Sequence, residues 1–528
     1  MKRPLLVLTL AAVVAGCGGS TLESRLALEA SGTSVLAERA VVTVDTNAQR
    51  IAILVPTVEG GLARSYIPLS SPMLRLETSP DGVRTFLLTQ GTAKTRTAPA
   101  VAPELVVITV EGNAAKDVHY TLPPGFGELT VDEEGAYVAL TPTNAKSTSL
   151  VANPNALAIV DLRAAPSATN PVARSLARNA AIAAPLAFSP ELTTPKGKRR
   201  FLLGIGPREA TLIDLAAAFG AVPTADTKIP LTSAGATASL LPSAVRFDDG
   251  EPGLDDDARV AFSLSSEGSI LTATLLANDA PLAGEGDLRA LVNLTDMGAT
   301  VSDFAFLPTA EGRRIAALTP SRQRAVLADP ATSLTTPVPL ARAYNGLRVV
   351  PGASTSTVML TASGGTTAAV ALWDIPRTAD QPYRAVEAVV DVTSLSDVLP
   401  IPGSSTRFLI VSAAGSELVA LDTSTRTATP VMTTRQSSVA LSRDGLRAYI
   451  VPRYGDAAFA SLSLQNFTST ELSAGAPSGA FGELRRADGS PVVALVHGAT
   501  SSSLSLFDPL HPEALGKRWD DLLVEGVR

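Results

Sequence analysis

The feature that most constrains this 528-residue chain is a hairpin signal that keeps returning. An alternating apolar strand runs into a polar turn, often Asp-Gly, and a second apolar strand follows at once. The clearest copies are Ser438–Val451, turning at Ser442-Arg443-Asp444-Gly445, and Leu74–Leu88, turning at Ser79-Pro80-Asp81-Gly82. Weaker copies centre on Glu133-Glu134-Gly135, Glu311-Gly312, Ser404-Ser405 and Asp488-Gly489. Two more carry enlarged turns, Ser189–Arg200 and Asp248–Asp257, and Val42–Val55 and Arg348–Leu360 complete the set. Asp-Gly suits a tight hairpin because glycine adopts positive φ without a Cβ clash and aspartate tolerates it.

Ten such signals spaced by about 40 to 60 residues fall in the period of propeller blades. A third strand ending in aspartate follows several hairpins: Ala158–Asp161, Thr211–Asp214, Ala371–Asp374 and Val419–Asp422. A closing apolar stretch such as Ala428–Met432 comes next. Three or four short strands per repeat, with almost no helical periodicity, read as blades. The expected fold is all-β: a single β-propeller of about eight four-stranded antiparallel blades, within a range of seven to ten. A pair of β-sandwiches is the rival, and the regular recurrence of one unit argues against it.

Ser79-Pro80-Asp81-Gly82-Val83-Arg84 and Leu421-Asp422-Thr423-Ser424-Thr425 resemble YVTN-type and WD-like propeller repeats. The resemblance spans roughly residues 36 to 515 by repeat period, and it implies that the Asp-Gly turn joins the two innermost strands. Trp373-Asp374 places the Trp-Asp dipeptide of such repeats in one of these third strands, without forming a series.

The N-terminus carries a different message. Lys2 and Arg3 precede a short apolar stretch, Leu5–Val14, and then Val14-Ala15-Gly16-Cys17. This is the layout of a secretory signal, too short to span a bilayer. Its last four residues resemble the lipobox of bacterial lipoproteins, which implies lipidation at Cys17 and cleavage before it. Gly18, where an aspartate would resemble an inner-membrane retention signal, implies the outer membrane of a diderm bacterium. The expected division is a signal peptide at 1–16, a lipidated cysteine and flexible tether at 17–35, and the propeller at 36–528. Cys17 is the only cysteine, so disulfides and cysteine-based zinc sites are excluded.

Lys+Arg 43 against Asp+Glu 50 gives −7, and loss of Lys2 and Arg3 with the signal leaves 41 against 50, or −9. The densest basic run is Lys196–Arg200, which is no footprint for nucleic acid or a polybasic membrane contact. The membrane is reached through the N-terminal lipid, and a protein or small ligand on a propeller face is the expected partner.

Chemistry is sparse. The three histidines, His119, His497 and His511, form no HxH or HExxH. Gly204-Ile205-Gly206-Pro207-Arg208-Glu209 starts like a dinucleotide fingerprint but has glutamate where the third glycine belongs, and reads as a turn. The aromatics Trp519, Phe507 and Tyr454 can rim one surface or pack in the core. The acidic loop has carboxylates at Asp248, Asp249, Glu251, Asp255, Asp256 and Asp257, six in ten residues, with Gly250 and Gly253 to let it wrap. Calcium is the ion such oxygens would take, although the order of ligands is not that of an EF-hand; a solvated turn is the alternative. No other cofactor is expected. The functional expectation is a lipid-anchored, extracytoplasmic binding or scaffolding module without a catalytic site. A propeller enzyme, lactonase-like or quinone-dependent, and a subunit of an outer-membrane assembly complex are the alternatives.

Overall fold

In a computed structural model, the chain is described from residue 34 to 522. The stretches left undescribed include 46–47, 143–155, 165–172, 178–185, 220–225, 232–241, 251–256, 379–385 and 453–458, with shorter ones elsewhere. Cys17 and the expected signal and tether up to residue 33 lie outside the described residues.

Strand formation follows from what each blade must bury. The second and third strands are nearly continuous apolar runs, such as Arg50–Pro56 and Arg259–Leu264, buried along their whole length. A run of that kind belongs to a sheet covered on both faces. Alternation then divides the side chains between two neighbours. In blade 2, Phe86 and Leu88 pack with Val138 and Ala158 of blade 3, while Leu87 between them packs with Val42 and Ile53 of blade 1. In blade 4, Leu202 meets Ile159 behind it and Phe201 meets Val260 ahead. Fourth strands face water more, as in Ala114–Thr121 and Thr335–Pro339.

The described residues form ten four-stranded antiparallel sheets, all but the fourth built from consecutive strands. They span 34–68, 73–121, 126–177, 187–230, 244–296, 303–339, 346–392, 395–433, 436–472 and 478–519, and are numbered blades 1 to 10 in that order. Blade 4 also carries a small inserted hairpin, Leu192–Thr194 with Gly197–Arg199. Apolar clusters join every blade to the next, and one joins Leu484 and Val492 of blade 10 to Val41 and Leu54 of blade 1. The ring is therefore closed. First strands of neighbouring blades touch one another, so they line the axis.

Ten blades stand at the top of the expected range, and the single figure of about eight is corrected upward. Each of the ten hairpin signals proves to be one blade. Nine join first and second strands, whereas Val42–Val55 joins the second and third strands of blade 1. The first strand of the ring, Ser34–Leu36, straddles the expected start at residue 36. No helix among the described residues is long and apolar enough to cross a membrane.

The turns that looked degenerate in sequence share one geometry. In blade 2 the Arg84 N–H donates to Ser79 Oγ at 2.9 Å, Gly82 N–H to Ser79 O at 2.8 Å and Val83 N–H to Asp81 Oδ1 at 2.9 Å. Blade 9 repeats this with Ser442, Asp444, Gly445, Leu446 and Arg447. Blade 3 replaces the serine with Asp132, whose Oδ1 accepts from Tyr137 N–H at 2.8 Å. Blade 4 keeps Ser189 and the same bond to Phe201 N–H, at 2.8 Å, with the inserted hairpin between them.

Two of these glycines separate backbone strain from crowding. Gly445 (φ +70°) and Gly489 (φ +83°) both lie in the left-handed region. A Cβ on Gly445 would lie 2.1 Å from Pro402 O of blade 8, whereas one on Gly489 meets nothing within 4 Å. Gly489→Ala is expected to cost about 1 kcal/mol, the conformational share alone. Gly445→Ala should cost clearly more, because backbone must move. Urea denaturation of both variants checks the ordering, and equal losses would contradict it.

Candidate functional site

In an up-and-down blade of four strands, the first–second turn and the third–fourth turn lie at the same end. One face of the ring, here the turn face, therefore collects both the Asp-Gly hairpins and the aspartates that end third strands. Most of those aspartates hold the chain itself. Asp214 Oδ1 accepts from Ala216 and Ala217 N–H at 2.9 and 3.1 Å, capping the one-turn helix α1 (Leu215–Ala218). Asp422, Asp329 and Asp508 accept from the N–H two residues on, at 2.9, 2.8 and 2.9 Å, the Asx-turn habit of this side chain. Burial opposes ionisation of Asp161, but the hydrogen bonds from the Arg163 side chain and N–H outweigh it and hold its carboxyl below the usual range.

Arginines near the start of second strands reach from this face into neighbouring blades. Arg84 donates to Gly135 O, joining blade 2 to blade 3. Arg200 of blade 4 meets Asp132 Oδ2 of blade 3 at 3.1 Å and Glu134 at 2.7 Å. Arg313 of blade 6 meets Asp248 of blade 5, and Arg407 of blade 8 donates to Leu464 O of blade 9 at 2.6 Å. At a third–fourth turn, Arg426 of blade 8 meets Asp374 and Glu387 of blade 7. No sequence signal pairs these arginines with their acids, because the partners stand about 40 to 70 positions apart, one blade's length.

The turn face departs from its repeat at blades 4 and 5. The inserted hairpin of blade 4, the enlarged first–second turn of blade 5 and the third–fourth turn of blade 5 meet there. Thr193 donates through its N–H to Asp249 Oδ1, and its hydroxyl to Oδ2 at 3.2 Å. Lys196 Nζ lies 2.7 Å from Asp279 Oδ1. Arg199 grips Asp287 with two hydrogen bonds of 2.9 and 2.7 Å and reaches Asp214 at 3.0 Å. This two-pronged geometry fixes direction as well as distance. The basic run Lys196–Arg200 is thus consumed by ion pairs: Lys198 takes Glu191 at 2.9 Å, and Arg200 takes blade 3. The result is a braced platform of loops, the most elaborated part of the ring among the described residues.

The structure separates the carboxylates of the acidic loop. Asp248, the last residue of the first strand of blade 5, is buried between Arg313 and Arg259, the latter at 3.9 Å. Asp257 pairs with Arg259 at 3.1 Å, and Asp249 braces the hairpin. Glu251, Asp255 and Asp256 lie outside the described residues. A calcium ion at this loop would compete with two arginines for Asp248 and Asp257, and no group of three or more His, Cys, Asp or Glu residues that could hold a metal stands among the described residues.

The other sequence candidates scatter. His119 sits on the fourth strand of blade 2 with Asp117 at 2.8 Å and Glu104 at 3.2 Å on its two ring nitrogens. Burial works against its charge, but the two carboxylates prevail and raise its pKa. His497 is buried in blade 10 with Nε2 2.6 Å from Ser505 Oγ. The His511 N–H donates to Asp508 O at 3.3 Å. Phe507 is core, packed against Phe459 at 5.8 Å between ring centres, while Trp519 packs at the junction of blades 10 and 1 under Lys517. Tyr454 lies outside the described residues. The glycine-rich Gly204–Glu209 stretch is the second–third turn of blade 4, closed by Gly206 N–H to Glu209 O at 2.8 Å. Trp373 is buried between blades 6 and 7.

Among solved structures the chain is similar to a eukaryotic initiation factor, at 11% identity over 92% of this chain and 95% of that one, with a TM-score of 0.44. It is similar to the dihydro-heme d1 dehydrogenase NirN in complex with DHE at 10% identity, 84% and 78% coverage and a TM-score of 0.38. Hsv2 of Kluyveromyces lactis gives 12%, 68%, 97% and 0.37. No protein-family model and no curated protein matches the chain. The propeller fold rests on the strand pairing described above.

The Asp248 site yields a pH-dependent expectation. Burial raises the Asp248 carboxyl pKa, and Arg313 and Arg259 offset this only in part. A raised carboxyl pKa costs stability as pH rises from the unfolded value, near 3.9, through the folded one. Arg313→Met removes the main opposing charge. It is expected to cost about 3 kcal/mol at pH 7, where a buried carboxylate is left poorly paired, and less at pH 4, because a raised pKa favours the neutral carboxyl as the pH falls. Chemical denaturation at the two pH values reads the difference; a loss independent of pH would show that Asp248 is not the group responsible.

Proposed function

We propose that this chain is a lipid-anchored, extracytoplasmic propeller that works as a binding or scaffolding module, with its partner held on the turn face at blades 4 and 5. The observation that carries this reading is the local break in the repeat. Elsewhere the first–second turns close within a few residues, but here an extra hairpin and two loops are braced by Thr193–Asp249, Lys196–Asp279 and Arg199–Asp287. Loops positioned by a rigid scaffold are where binding residues concentrate. Fold alone does not name a ligand, so the partner is placed by location rather than by identity. The anchor is the acylated Cys17, and the site of residence is the outer membrane of the cell envelope.

Both halves of the proposal have a direct test. Metabolic labelling with a palmitate analogue should tag the native chain and leave Cys17→Ser unlabelled; an untagged native chain refutes the anchor. For the platform, residues 193–198 are replaced by a short Asn-Gly turn, which hairpins accept readily and which keeps the buried Leu192 and the Arg199 and Arg200 ion pairs. Crosslinking in intact cells is then compared between the native chain and this variant. The expected result is loss of the native crosslinked species while the melting temperature of the ring stays within a few degrees. Identical crosslinks from both proteins would move the binding face elsewhere.

A further inference from the structure

Nine of the ten blade junctions are crossed by the chain itself. Connections such as 69–72 between blades 1 and 2, or 340–345 between blades 6 and 7, hold neighbours at high effective concentration. The tenth junction, between blades 10 and 1, joins the two ends of the described chain instead. Among the described residues the blades exchange no strand there: blade 1 takes all four strands from the N-terminal side and blade 10 all four from the C-terminal side. The junction is held by side-to-side packing of Val41 and Leu54 against Leu484 and Val492. To this are added Arg485 N–H to Glu38 O at 2.8 Å and the Tyr66 hydroxyl to Leu522 O at 3.0 Å.

On the turn face something more crosses it. Arg443, in the first–second turn of blade 9, extends past blade 10. Its Nη1 lies 3.4 Å from Glu38 Oε1 of blade 1 and donates to Asp81 O of blade 2 at 3.2 Å. Its own N–H faces Glu483 Oε1 of blade 10 at 3.4 Å, and Glu483 in turn accepts from the Tyr449 hydroxyl of blade 9 at 2.9 Å. Glu38 is the centre of the arrangement. Its N–H donates to Gly82 O at 2.6 Å, its carbonyl accepts from Arg485, and its carboxylate lies between Arg443 and Arg485, the latter at 4.0 Å. Gly82 leaves room for the guanidinium: a Cβ there would lie 2.7 Å from Arg443 Nη2. Turns of blades 9, 1 and 2 and the first strand of blade 10 thus meet around one arginine–glutamate pair.

We propose that the junction between blades 10 and 1 is a gate in the ring, and that Arg443 with Glu38 is its latch. Among the described residues this junction has neither a connecting segment nor an exchanged strand to hold its flanks together once they part, and local openings follow such differences in local stability. Release of the latch separates the apolar flanks of the two blades and opens a lateral way to the axis. This inference does not depend on the partner site at blades 4 and 5.

Two backbone amides report the gate separately from the rest of the ring. The Arg485 N–H is bonded across the junction, and the Ala310 N–H donates to Pro376 O at 2.8 Å across the tethered junction of blades 6 and 7. Hydrogen exchange is measured on the full-length chain and on Arg443→Met, which keeps much of the aliphatic stem. The expected result is exchange at Arg485 faster by roughly tenfold or more, the size of a lost charge-assisted hydrogen bond, with Ala310 unchanged. Glu38→Gln, which keeps the backbone bonds, should move Arg485 in the same direction by less, and stands in if Arg443→Met does not fold. Unchanged exchange at Arg485, or equal acceleration at both amides, overturns the latch.

Discussion

Everything in this molecule depends on one packing constraint: a blade is apolar on both faces and can hide them only between two other blades. Phe86 and Leu87 are neighbours in sequence yet belong to different inter-blade cores, one toward blade 3 and one toward blade 1. The same division recurs at Phe201 and Leu202. A stack of such units has two raw ends unless it curves back on itself. Closure is therefore demanded by the hydrophobic effect rather than by any closing strand, and the chain satisfies it by packing blade 10 directly on blade 1.

Polar groups follow the same logic at smaller scale. Apolar packing fixes how near two blades lie but leaves room for sliding. Directional contacts on the turn face remove that freedom: Arg84 on the Gly135 carbonyl, Arg200 on Asp132, Arg313 on Asp248 and Arg426 on Asp374. Several of these acids are almost fully buried, so each arginine is needed to keep its neighbour from standing as an uncompensated charge. Of the carboxylates in the acidic loop, the described ones, Asp248, Asp249 and Asp257, each hold a partner within the chain. What stays free of the repeat is the braced platform at blades 4 and 5, and the junction of blades 10 and 1 almost opposite to it in blade order.

Much of this architecture could be seen beforehand. Asp81-Gly82 and Asp444-Gly445 announced hairpins because few residues other than glycine hold positive φ cheaply, and φ is +74° and +70° at the two glycines. Each of the ten hairpin signals is one blade, and the ring of ten lies within the expected range of seven to ten. Asp161, Asp214 and Asp422 end third strands as expected, whereas the third strand of blade 7 runs two residues past Asp374, to Pro376. The acidic loop was visible as charge, but its division between Arg313, Arg259 and Thr193 was not. Those partners lie in other turns, and nothing local to Asp248 or Asp249 points to them.

Local chemistry thus determined the elements: where a strand must be buried on both sides, where a turn needs glycine, where an aspartate finds a backbone N–H two residues on. Each of these is settled within a few residues, so it can be read along the chain. The number of units that close a ring, the arginine that answers each buried acid, and the meeting of Glu38 with Arg443 from opposite ends of the propeller were decided by tertiary structure alone. They depend on the angle at which whole blades pack, a sum over many small contacts that no short stretch of sequence contains.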